Sequence, residues 1–114
     1  MTAETTDAGA APLDEAIELA GLVSYGDESV VSRTLLKSKT GTISLFAFDA
    51  GQALSEHTVP FDAFVQVLDG CGEFTIADRR HEVRVGQAII LPANIPHAVH
   101  AVGRMKMLLT MLRH

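Results

Sequence analysis

The sequence has a single cysteine, Cys71, in 114 residues. No disulfide can close within the chain, so the fold does not need an oxidising compartment. Cys71 lies between two glycines, where a small structural residue is a better reading than a nucleophile, since no histidine partner can be assigned. Tyrosine is equally scarce: Tyr25 stands alone, in an early turn region, and gives little support to a catalytic phenol. No apolar run approaches the roughly 20 residues that span a bilayer. The first residues are acidic and rich in alanine and threonine, without the basic and apolar regions of a secretory signal. A cytoplasmic location is the expectation by elimination. Positive charge is also short, with 9 Lys and Arg against 14 Asp and Glu and a formal net charge of −5. Nucleic acid is therefore a poor candidate partner, because phosphate binding needs a basic face. Arg79-Arg80 with Arg84 reads as a solvated hairpin tip.

What is present is an ordinary globular composition, 47% hydrophobic and 20% charged, of a length that fits one domain. Residues 1–12 are small, polar and acidic without periodicity, and read as a flexible tail. Residues 13–114 read as the domain. Leu13 to Val23 predicts a short helix, with Leu13, Ile17 and Ala20 on one face and Asp14 and Glu15 near its start. From there the pattern is that of strands. They are expected at Ser29–Leu36, Thr42–Phe48, Phe64–Leu68, Glu73–Ala77, His81–Val85, Ala88–Leu91, Ala98–Val102 and Met105–Leu112. A turn at Asp78-Arg79-Arg80 makes a hairpin of the fourth and fifth. Thr42–Phe48 and Met105–Leu112 carry apolar residues on both faces, so both are expected to be covered on both sides. Short strands in series with turn signals between them predict an all-β sandwich or closed barrel.

Two segments carry a resemblance. Gly51-Gln-Ala-Leu-Ser-Glu-His57-Thr-Val-Pro-Phe-Asp-Ala63, running on to Gly70, resembles the first motif of the cupin superfamily, G-x5-H-x-H-x3/4-E-x6-G. Gly86-Gln-Ala-Ile-Ile-Leu-Pro92-Ala-Asn94-Ile-Pro-His97-Ala-Val-His-Ala101 resembles the second, G-x5-P-x-G-x2-H-x3-N. Leu45 to Gly51, Glu56 to Ala63 and Leu108 to Arg113 are similar to the small single-domain, RmlC-like bacterial cupins. The resemblance implies a double-stranded β-helix, a jelly-roll barrel that can enclose a ligand-sized cavity. It also implies a divalent transition metal held by three histidines and a glutamate. Here His57 and His97 are present, but Val59 stands at the second histidine position and Ala63 at the glutamate position. Asn94 replaces the motif glycine, and Ala101 the final asparagine.

His57 and His97 are therefore the candidate metal ligands or polar anchors. Zinc and non-haem iron sites usually take at least three protein ligands. Glu56 and His100 point away from these two by strand alternation. Asp62 is one residue from the glutamate slot, and a solvated or turn role suits it better. His81 is expected at the surface, and His114 is terminal. The preferred reading is a small-molecule-binding barrel with His57 and His97 as polar anchors. The alternative is a metal-dependent dioxygenase or isomerase acting on a small organic substrate, with waters or substrate completing the coordination. A homodimer is expected, because the last strand is apolar on both faces and single-domain cupins pack sheet on sheet.

Overall fold

The structure, a computed structural model, describes the backbone of residues 5–7 and, in full, residues 12–113. The reading of residues 1–12 as a flexible tail lies for the most part outside these residues. Within them, strand β1 (Thr5–Asp7) runs parallel to β2 (Val30–Ser38). The other strands are β3 (Gly41–Phe48), β4 (Ala53–His57), β5 (Phe61–Asp69), β6 (Cys71–Ile76), β7 (Arg79–Arg84), β8 (Ala88–Leu91), β9 (His97–His100) and β10 (Met105–Arg113). They form two sheets, a six-stranded one in the order β1-β2-β3-β10-β5-β8 and a four-stranded one in the order β4-β9-β6-β7. Chain neighbours β4 and β5, β5 and β6, and β8 and β9 lie in different sheets, which makes the fold a jelly roll.

Alternation along the strands fills the space between the sheets. Phe48, Val65, Val67, Phe74, Val83, Leu91, Val99, Met105 and Met107 form one buried cluster. A second cluster of Val23, Leu45 and Ala47, joined by Leu22, Tyr25 and Leu108, covers the outer face of the six-stranded sheet. So β3 is covered on both faces as expected, but Leu112 on β10 is exposed.

The expected helix over Leu13–Val23 contracts to one 3-10 turn at Leu19–Leu22. Asp14 takes a left-handed φ of 61°, which breaks the helical path before it starts. The carbonyls a helix would use are taken elsewhere: Lys106 Nζ donates to that of Ala20, and the Arg33 guanidinium donates to that of Leu22. The segment is thereby a strap over the sheet. The Tyr25 hydroxyl donates to Asp69, and Arg104 and Lys106 each lie 5.0 Å from the centre of its ring. Burial and the Asp69 carboxylate push this phenol far above its ordinary range. It anchors the strap and performs no visible chemistry.

Turns decide where strands end. The β6–β7 turn is Ala77-Asp78, one residue earlier than expected, with φ of 48° and 68°. Two consecutive positive φ values are the signature of the hairpin turn whose twist matches the flanking strands. Cys71 lies at the start of β6, half-buried.

Candidate functional site

One end of the barrel is assembled from the ends of several strands and the loops between them. In the four-stranded sheet, His57 pairs with His97, and His97 with Ile76. In the six-stranded sheet, Met111 pairs with both Thr42 and Ala63, and Ala63 with Leu91. Two hydrogen bonds tie this end together. The Asn94 amide donates to the Val59 carbonyl over 2.8 Å, and the Ala93 amide donates to Asp62 Oδ1 over 2.8 Å. Asp62, at the start of β5, thus clamps the loop that precedes β9. Asn94 has a φ of 64°; its short polar side chain lets it replace the motif glycine at modest cost.

His57 turns toward His97 at the barrel mouth by an irregularity. Leu54 pairs with Val99 and packs on the core. An ideal strand would turn His57, three residues on, to the opposite face. The register shifts between Leu54 and His57, and this bulge returns His57 to the inner face. His97 needs no such device, since it alternates with buried Val99 on β9.

The two rings meet edge to face, with centroids 4.4 Å apart and planes at 68°. His97 is buried, at 4% exposure, whereas His57 is exposed on the rim. Each Nδ1 faces the carbonyl two residues earlier: His57 that of Ser55 at 2.9 Å, His97 that of Ile95 at 3.2 Å. A carbonyl oxygen only accepts, so each Nδ1 carries the hydrogen and each Nε2 of the neutral rings carries a lone pair. Burial, and then the proximity of His57, hold the His97 pKa below its ordinary value, against a smaller opposing effect of the Ile95 carbonyl. Neither Nε2 has a hydrogen-bond partner among the described residues, and no buried side-chain nitrogen there lacks one. Both lone pairs therefore open toward solvent or a ligand.

The remaining candidates do not join them. Among the described residues no three His, Cys, Asp or Glu side chains gather in a metal-binding group. His100 lies 3.9 Å from Glu73 on the outer face of the four-stranded sheet, as alternation predicts. His81 is half-buried and shares the inward parity of Val83, contrary to the surface position expected for it. His114 lies outside the described residues. Met111, whose position beside Ala63 could not be read without the register, is the residue sequence reasoning left in a core or subunit-interface role.

A jelly roll with left-handed glycines at its motif corners and an imidazole pair at one mouth defines a class of small β-barrels. Residues 44–112 match the cupin domain family, and the chain belongs to it. It is similar in structure to a conserved protein of unknown function from Streptococcus pyogenes, with a TM-score of 0.87 and 35% identity, covering 91% of each chain. It is also similar to a cupin superfamily protein from Desulfitobacterium hafniense, with a TM-score of 0.85 and 30% identity, over 90% of this chain and 94% of that one. Protein SchB of Streptomyces halstedii is 26% identical over 76 residues, 66% of this chain and 55% of that protein. The chain thus spans little more than half the length of that relative.

Proposed function

We propose that this cupin binds a small, largely apolar organic molecule bearing hydroxyl groups, at the barrel mouth around His57 and His97. The observation that carries the reading is the pair of outward-opening Nε2 acceptors set on a rim of Ile76, Leu91, Ala63 and Met111. Two adjacent acceptors on an apolar wall suit a ligand with two donors and an apolar body, because each donor leaves water only if it finds a partner. A panel of phenols and aliphatic diols, screened by ligand-observed NMR, tests it. Binding that is lost in both His57→Ala and His97→Ala is the expected result. Undiminished binding in either variant overturns the reading.

The alternative, a metal-dependent dioxygenase or isomerase, would place one divalent ion on the same imidazoles. The donors do not fit that ion. Val59 and Ala63 offer no ligand, Asp62 is committed to the Ala93 amide, and two neutral nitrogens fall short of the sets that hold zinc or non-haem iron.

We also infer a homodimer packed through the six-stranded sheet. Leu36, Ile43, Thr110, Phe64 and Ile90 are consecutive cross-strand partners. They form one row across five strands on the outer face, with Leu36, Phe64 and Ile90 exposed. Sedimentation equilibrium should give a dimer for the parent and a monomer for Phe64→Asp; a monomeric parent rejects it. No helix among the described residues is long and apolar enough to cross a membrane, and a cytoplasmic location is part of the same proposal.

A further inference from the structure

The strap over the outer face of the six-stranded sheet is fastened at its later end. At Leu19–Leu22 the Lys106 and Arg33 side chains bond its carbonyls, and Leu22 packs into the outer cluster. Before that turn the strap stands off the sheet. Leu13 is 71% exposed and Ile17 36%, and both line a cleft of about 320 Å³ whose floor is Leu35, Leu36, Ile43 and Leu108. That volume lies in the range of small-molecule sites. A second depression, of about 350 Å³, shares Leu36 and Ile43 with the first and continues past Thr110 to Leu112. The two form one groove along β3 and β10. From Leu108 to Leu112 its floor runs about 13 Å at the rise of a strand, the reach of a medium-length alkyl chain.

Charge divides the two ends of this groove. Asp14 lines the strap end, and Glu15 follows it in the chain. Lys37 lines the other end with Ser38, Thr40 and Thr42, and Lys39 lies in the same β2–β3 turn. Both lysines are exposed, and neither has a carboxylate partner among the described residues. An apolar floor with unpaired cations at one end and a carboxylate at the other matches an anionic single-chain amphiphile, and fixes its direction. We propose that the groove binds a free medium-chain fatty acid, its tail under Leu13 and Ile17 and its carboxylate at Lys37 and Lys39. The tail gains by leaving water, and the lysine stems can lie along it while their heads stay solvated. A flat partner sheet could cover Phe64 and Ile90 but could not enter a cleft walled by the strap, whereas a single alkyl chain can. The site lies outside the barrel and does not rest on the organic-ligand reading. It shares Leu36, Ile43 and Thr110 with the row assigned to the dimer, but binding does not require the dimer.

Sodium decanoate, kept below its micelle concentration, is titrated into the full chain and followed by NMR. It should bind saturably to the parent, or to Phe64→Asp alone where a dimer covers the groove. The decanoate methyl should contact the Leu13 and Ile17 methyls, and the carbon beside its carboxylate should contact Lys37. Decyltrimethylammonium, an equal tail with the opposite charge, should bind about fivefold more weakly, the scale of exposed ion pairs. The double variant Lys37→Glu with Lys39→Glu should reverse that order, and two exposed side chains can be changed without loss of the fold. Absence of saturable decanoate binding in both the parent and Phe64→Asp overturns the proposal, as do equal affinities for the two amphiphiles. Contacts to the His57 and His97 rings in place of Leu13 and Ile17 also overturn it, and would assign the ligand to the barrel mouth. Binding to phosphatidylglycerol vesicles without binding of free decanoate would make the face a membrane contact and reject a fatty-acid site.

Discussion

The belt of the barrel and its mouth are built from the same strands to opposite ends. At the belt, Phe48, Val65 and Phe74 have no exposed surface, and side chains from both sheets fill the gap. At the mouth, a few residues along the same strands, His57 is exposed, Met111 is half-buried and Ala63 supplies only a methyl group. The difference teaches where this cupin can hold a ligand. A filled belt supplies stability and leaves no polar anchor, so the proposed recognition falls to the rim, where an irregular strand and the hydrogen-bonded loops set the imidazoles.

The largest break in this contrast comes from the belt. Phe74→Ala removes a fully buried ring from the centre of the core and should cost about 3–5 kcal/mol, read as a shift in urea midpoint. A cost near 1 kcal/mol would show that the belt can collapse or admit water, and that the site extends deeper than the rim.

A smaller effect separates the two motif corners. Gly70 has a φ of 68°, and an added Cβ would lie 2.0 Å from the Arg104 carbonyl oxygen. Gly86 has a φ of 86° but nothing within 4 Å of an added Cβ. Both substitutions to alanine bear the left-handed penalty of about 1–2 kcal/mol, and only Gly70→Ala must also displace backbone. Gly70→Ala should therefore unfold at lower urea than Gly86→Ala, and equal midpoints would mean that the Gly70 turn yields freely.

These corners also show what sequence reading could reach. Gly51, Gly70 and Gly86 all have positive φ, so motif spacing located the turns correctly and most strands followed from alternation between them. Strand β4 is absent from the series of expected strands, although alternation is applied at Glu56 and His57, because its bulge breaks the pattern between Leu54 and His57. The short helix expected over Leu13–Val23 is present only as the 3-10 turn Leu19–Leu22, because its carbonyls are claimed by Lys106 and Arg33, residues distant in sequence. The pairing of His57 with His97 was legible from the motifs. The placing of Met111 beside Ala63 was not, since it depends on the register of two strands more than 40 residues apart along the chain.

The smallest expected effect sharpens the mouth. His97 sits below its ordinary pKa of 6.5 because burial, and then His57, disfavour its charged form. The unfolded chain takes up this proton near pH 6.5, while the folded chain refuses it until lower pH. The unfolded state thus binds more protons in that window, and stability rises with pH there. Stability present in full above about pH 6.5 is lost as pH falls through the folded value, and changes no further from this group below it. His97→Gln removes the titration and should flatten the urea-midpoint profile between neutral pH and that lower limit. Its measure is the difference between the parent and variant profiles, which cancels groups common to both. Parallel profiles would mean that the folded mouth accepts the proton as readily as water does. The wall around His97 would then be wetter than its burial indicates, and the line drawn between a dry belt and a selective rim would have to move inward.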